Sequence, residues 1–147
     1  MTTDFPPSKT ELLETFEDLQ DWQDRYEYIL DIARELPKLA PEHQTEENKV
    51  HGCMSTVWLV VNGKQADDST QKIELQADSD SMIVRGLVVI LLTLYDNKTP
   101  AEAIEEDPEA FFGTLGLNQH LSPNRRNGLY SMINRIRELC VKLEAER

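Results

Sequence analysis

Thr56-Val57-Trp58-Leu59-Val60-Val61-Asn62-Gly63 is the stretch on which the fold turns. Thr56 to Val61 is β-branched, aromatic and apolar without a helical spacing of polar positions, so it reads as a strand. Asn62-Gly63 is a hairpin signal, because both residues tolerate the positive φ of a tight two-residue turn. Beyond it, Lys72-Ile73-Glu74-Leu75-Gln76 alternates polar and apolar as a half-buried partner strand does. Val50 stands where an earlier short strand would fit. The middle of the chain therefore predicts a small antiparallel sheet of about three strands.

Both flanks are helical. Ser8-Lys9-Thr10-Glu11 has the capping-box pattern, and Leu12, Leu13, Phe16 and Leu19 follow on one stripe. A second helix is expected from Asp21, with Trp22, Tyr26, Ile29, Leu30, Ala33 and Leu36 at helical spacing until Pro37 stops it. Residues 37–49 read as a polar connector with at most a short helical turn. After the sheet, Ser79 or Asp78 is expected to cap a helix running to about Tyr95. Its Ile83, Leu87, Ile90, Leu91 and Leu94 leave it almost no polar side, so it belongs inside. Thr99-Pro100-Ala101-Glu102 combines cap, first-turn proline and capping-box glutamate, and Asp107-Pro108 and Ser122-Pro123 repeat the cap-then-proline pair. The last helix carries Leu129, Met132, Ile133, Ile136, Leu139, Cys140 and Leu143 on one face. The fold class is α+β: two helices, a short sheet and a helical half packed on it, in a single domain over residues 1–147.

The whole chain has 147 residues, 39% of them apolar and 29% charged, with a net charge of −12. The first fifty residues hold 5 basic and 13 acidic side chains, and residues 121–147 hold 6 and 3. Such acidity opposes phosphate backbones and anionic lipid, so no nucleic-acid or membrane partner is expected. It suits a solubilising surface, or docking on a basic patch of a partner. Met1–Thr10 lacks the apolar segment of an export signal, and Leu87–Leu92 is far shorter than the ~20 apolar residues of a membrane span. A cytoplasmic location is expected, or an organelle stroma if a transit peptide has been removed. Two cysteines in such a compartment are not expected to pair.

Cys53 lies in Val50-His51-Gly52-Cys53-Met54-Ser55, just ahead of the strand. Gly52 permits a sharp backbone path, which puts the thiol at a loop tip where it is either a nucleophile or an inert side chain. Cys140, on the apolar face of the last helix, reads as a small buried hydrophobe. No paired Cys or His spacing suggests zinc, and two cysteines are too few for a self-contained iron–sulfur cluster, so neither metal nor cofactor is expected. Glycine-rich phosphate loops are absent too. Asp78 and Asp80 could form a general-acid pair, but their place beside a helix start explains them as caps. His120 reads as a hydrogen-bonded structural histidine. Arg125 and Arg126 sit in the first turn of the last helix, where cations are unfavourable, so they are expected to answer a carboxylate or another anionic group across space.

Several blocks taken together resemble the SufE-like sulfur-acceptor proteins, the activators of cysteine desulfurases of SufE and CsdE type. They are Glu47-Asn48-Lys49-Val50-His51-Gly52-Cys53-Met54-Ser55-Thr56-Val57-Trp58, Ala77-Asp78-Ser79-Asp80 with Ile83-Val84-Arg85-Gly86-Leu87, and His120-Leu121-Ser122-Pro123-Asn124-Arg125-Arg126-Asn127-Gly128-Leu129. The helix from Asp21-Trp22 to Glu35-Leu36-Pro37 fits as well, and the blocks run in order from about residue 9 to residue 140. The resemblance implies a fold similar to that of iron–sulfur scaffold proteins of IscU type, without service as a scaffold. It also implies a SufS-type, pyridoxal-phosphate-dependent cysteine desulfurase as partner and delivery of its sulfur to iron–sulfur cluster assembly. An iron–sulfur scaffold complex and a homodimer remain open as further partners. The family's acceptor cysteine maps onto Cys53. Arg125, His51, Met54 and Asp80, carried by the same blocks, are candidates for supporting the thiolate or meeting the partner. The family commonly has glutamine after the cysteine, where this chain has Met54, which bears on acceptance rate or partner choice. Two other functions are compatible with the residues: a cysteine hydrolase using Cys53 with His51 or His120 as base, and a non-catalytic acidic adaptor.

Overall fold

Ser8 accepts the Glu11 amide proton at 3.1 Å and so starts the first helix, α1 (Lys9–Asp18), in a computed structural model that describes residues 5–52, 54–65 and 71–146. Asp21 does the same through the Gln23 amide for α2 (Trp22–Glu35), which ends at Leu36 ahead of Pro37. A single 3-10 turn at Pro41–His43 interrupts the connector. Two strands follow, β1 (Val57–Gln65) and β2 (Gln71–Ser79), antiparallel and in register from Val57 opposite Ser79 to Gln65 opposite Gln71. The remaining helices are α3 (Met82–Tyr95), α4 (Pro100–Glu105), α5 (Pro108–Thr114), α6 (Leu117–His120) and α7 (Pro123–Ala145). Thr99 and Glu102 form the complete reciprocal capping box of α4, and Asp107 and Ser122 cap α5 and α7.

The class is the expected α+β, with three departures. Among the described residues the sheet has two strands rather than about three, and the earlier strand is reduced to a single bridge, Lys49 opposite Trp58. Asn62-Gly63 is not a turn. Asn62 pairs with Glu74 and Gly63 with Ile73, so the ladder runs straight through the dipeptide. Nor do Asp78 or Ser79 cap α3. Both lie in β2 and are buried, and Ser81 is the cap, its Oγ accepting the Val84 amide at 3.4 Å.

Val57, Leu59, Ile73, Leu75 and Ala77 on the inner sheet face are all buried, against α3 and α7. Trp58, Val60, Gln76 and Glu74 alternate onto the other face. The outer edge of β2 is covered: the Ile73 amide donates to the Lys98 carbonyl at 2.8 Å and the Leu75 amide to Asp96 Oδ1 at 3.2 Å. Helix α3 is wrapped on nearly all sides, with ten of its residues buried. It meets α2 at Gly86, where an added Cβ would come within 2.6 Å of the Ile29 carbonyl oxygen. One buried ion pair ties this half together. Asp78 pairs with Arg85 and accepts the Leu39 amide at 3.0 Å, while Arg85 Nη2 donates to the Leu36 carbonyl at 2.6 Å. No helix among the described residues is long and apolar enough to cross a membrane.

Candidate functional site

The connector crosses β1 just before the strand begins. Val50 donates to the Val57 carbonyl at 2.8 Å and Leu59 to the Asn48 carbonyl at 2.9 Å, so residues 51–56 are closed into a loop at the end of the sheet. Gly52 takes φ +93, a left-handed conformation that only glycine adopts cheaply, and a Cβ there would lie 2.5 Å from Ser131 Oγ on α7. The loop's exit is held from the other side. Asp80 Oδ1 accepts the Thr56 amide at 3.1 Å, and the Thr56 carbonyl accepts from Ser79 Oγ at 2.8 Å and from the Asp80 amide at 3.3 Å. Cys53 itself lies outside the described residues. Of its neighbours, Met54 is 84% exposed and Ser55 half-buried.

A cavity of about 240 Å³ opens beside this loop. Met54 and Ser55 form one side of it and Ser122, Asn124 and Arg125 another, while Val57, Val84, Leu87, Leu129 and Met132 make its walls. An apolar chamber with a few polar groups converging at its rim is the usual form of a small-molecule or reactive-group pocket. The rim's cation is Arg125. Ser122 Oγ accepts its amide at 3.2 Å, and its Nη1 donates to Ser81 Oγ at 3.1 Å. Among the described residues Arg125 makes no ion pair and is held by a neutral hydroxyl. Arg126, next to it, has a buried Nε without a hydrogen-bond partner among the described residues.

The structure sorts the other candidates. His51 is exposed and lines a separate groove of about 520 Å³ with Glu46, Glu47, Ser131, Asn134 and Glu138, not the apolar cavity. Asp80 anchors the loop exit through Thr56 rather than serving as a helix cap. His120 lines neither space. Its ring stacks on Trp22 at 3.7 Å and 16°, its Nδ1 is 3.3 Å from the Gly116 carbonyl, and its own carbonyl accepts the Tyr26 hydroxyl at 2.5 Å. Cys140 is fully buried and burial pushes its thiol up to about 11, which makes it inert at neutral pH. No group of three or more His, Cys, Asp or Glu among the described residues could hold a metal ion.

Ser81 and Ser131 are residues that sequence reasoning missed, and Ser79, read there as a possible helix cap, instead donates to the Thr56 carbonyl. Isolated serines in polar stretches give no signal, and their role exists only once β2 and α7 are laid beside the loop.

Comparison with known proteins bears on the family and the fold. Residues 10–140 match the family model described as "SufE: Fe-S metabolism associated domain". An uncharacterised SufE-like protein of Rhizobium etli is 43% identical over 134 residues, which cover 91% of this chain and 90% of that protein. The solution structure of a hypothetical protein from Thermus thermophilus superposes with a TM-score of 0.73 over 95% of this chain and 97% of that one. At 22% identity it attests the fold. The chain belongs to the SufE family, and its place is in iron–sulfur metabolism.

Proposed function

We propose that this protein is a sulfur acceptor, a single SufE-like domain that takes persulfide sulfur onto Cys53 from a pyridoxal-phosphate-dependent cysteine desulfurase and passes it toward cluster assembly. The observation that carries the reading is the cavity. Both its loop side, Met54 and Ser55, and its cationic rim, Arg125, come from the segments that flank the family's acceptor position and its Ser122–Arg125 motif.

The chemistry is a sulfur-for-sulfur displacement. The Cys53 thiolate attacks the terminal sulfur of the desulfurase persulfide. A new S–S bond forms, the old one breaks, and the desulfurase thiolate leaves with the bonding pair. No net oxidant is consumed. An ordinary cysteine is only a few per cent thiolate at neutral pH, so a nearby cation that favours the anion raises the attacking fraction. Arg125, unneutralised by any carboxylate among the described residues, is the group suited to that task. The apolar walls suit the product, because a persulfide kept from water and thiols is neither reduced nor over-oxidised before delivery. A reducing compartment, cytoplasm or stroma, fits both steps.

The test is an intact mass after incubation with a desulfurase, cysteine and pyridoxal phosphate. Wild type and Cys140→Ser gain one sulfur, whereas Cys53→Ser gains none and melts as wild type does. Sulfur retained on Cys53→Ser, or lost from Cys140→Ser, overturns the assignment.

A further inference from the structure

The cation at the cavity rim has an uncommon kind of holder. Arg85 and Arg34 are fixed by carboxylates, those of Asp78 and Asp31, and Arg137 reaches the Glu106 carbonyl. Arg125 is fixed by Ser81 Oγ at 3.1 Å, from a different element and 44 residues away in sequence. That oxygen also accepts the Val84 amide at 3.4 Å as the cap of α3. Two donors thus converge on its two lone pairs, which sets the direction from which each must approach. The Ser81 backbone is fixed in turn. Its amide donates to Ser79 Oγ at 3.1 Å, and Ser79 Oγ donates to the Thr56 carbonyl at 2.8 Å, at the exit of the Cys53 loop. The guanidinium and the loop exit are therefore referred to one short hydrogen-bonded strut.

We propose that Ser81 is a positioning residue. Its neutral hydroxyl holds the Arg125 guanidinium at the mouth of the cavity while leaving the positive charge unspent. The inference rests on the sulfur-acceptor reading. The attacking thiolate and the departing desulfurase thiolate are both anionic sulfur, and the cation is of use to them only if no carboxylate has already neutralised it. An aspartate at position 81 would cap α3 as well as serine does, with added favour from the helix dipole. It would also pair with Arg125. Stability alone gives no reason for a hydroxyl here, whereas an available charge does.

Three variants separate charge from structure. Ser81→Thr keeps hydroxyl and cap, Ser81→Ala loses both, and Ser81→Asp keeps the cap but neutralises the arginine. Each is made in wild type and in Arg125→Ala, and the desulfurase concentration at half-maximal stimulation is recorded with the melting temperature. Ser81→Thr is expected to match wild type. Ser81→Ala and Ser81→Asp should each raise the half-maximal concentration about three- to tenfold, the effect of one modest polar contact. Ser81→Asp should do so while melting at or above the wild-type temperature. In the Arg125→Ala background neither should have a further effect. A Ser81→Asp curve identical to wild type, or an equal loss in the Arg125→Ala background, overturns the inference.

A second readout needs no desulfurase. The Arg125 Nη1–H resonance should be dispersed and slow to exchange in wild type and Ser81→Thr, and averaged with the other guanidinium protons in Ser81→Ala. An unchanged resonance in Ser81→Ala overturns the positioning role. A wild type that takes up no sulfur while this resonance behaves as expected would instead overturn the acceptor reading and leave the positioning in place.

Discussion

The segments that carry the two cysteines are held in opposite ways. Around Cys140, α7 presses Met132, Ile133 and Ile136 into a core shared with α3 and α4, every one of these side chains buried. Among the described residues, the segment on either side of Cys53 is held by polar contacts, Val50 to Val57 and Thr56 to Ser79 and Asp80, and Gly52 packs too close to Ser131 for a side chain. Dozens of small dispersion contacts fix the first region, and no single one matters much. Among the described residues the second shows few contacts, so each one matters. Reactive groups are carried on loops set by a rigid scaffold.

The largest stability effect should therefore come from the scaffold, at the one place where it depends on a single polar pair. Asp78→Asn leaves the Arg85 guanidinium buried without its counter-charge and takes a carboxylate oxygen from the Leu39 amide. Breaking a buried pair on one side costs about 3–5 kcal/mol. Urea unfolding followed by circular dichroism should show that loss with an unchanged slope. A loss below about 1 kcal/mol would mean that water reaches the pair and that the contrast between scaffold and loop is overstated.

Gly52→Ala probes the other side with a smaller expected effect. Forcing an L-residue into φ +93 costs about 1–2 kcal/mol, and the new methyl also meets Ser131 Oγ. A loop with so few contacts can relax away from that strain, so the global loss should stay near or below about 1 kcal/mol. Sulfur acceptance should fall much further than stability does, because the relaxed loop no longer holds Met54 and Ser55 at the cavity. Adding Ser131→Ala removes the clash but not the backbone strain, and should restore acceptance only in part. A double variant as active as wild type would show that the close approach to α7, and not the left-handed backbone, is what demands glycine.

The same contrast explains what was legible in the sequence. The caps at Ser8, Asp21, Thr99, Asp107 and Ser122 and the apolar faces of α3 and α7 follow from local chemistry and from one repeating period. Where a long-range contact overrode the local signal, the reading slipped. Asn62-Gly63 has the chemistry of a turn, but the ladder with Glu74 and Ile73 keeps it extended. Asp78 has the chemistry of a cap, but Arg85 and the Leu39 amide claim its carboxylate, so β2 runs on to Ser79 and the cap passes to Ser81. Arg125 was legible as a cation out of place on its own helix. Its partner was not, because a hydroxyl 44 residues away leaves no trace in periodicity or charge. Cys53 was singled out by its chemistry and by the family's motif, and it lies outside the described residues.

The variant with the smallest expected effect on sulfur acceptance tests whether Cys140 truly belongs to the scaffold. Burial raises its thiol from 9.0 to about 11, so the folded chain keeps a proton that the unfolded chain releases earlier. The sign follows from the protons bound: between pH 9.0 and about 11 the unfolded state holds fewer, and stability falls as pH rises. The contribution is fully present below pH 9.0 and lost across that window. Tyr95, also raised by burial, acts in the same direction but is common to every variant compared. Cys140→Ala should be less stable than wild type by about 1–2 kcal/mol at pH 7, through the small cavity it leaves. Its stability should then fall less steeply above pH 9.0, so the two curves converge. Denaturant midpoints at closely spaced pH values would show it. Parallel curves would mean that the Cys140 thiol ionises as readily folded as unfolded, and the chain would then have two candidate nucleophiles instead of one.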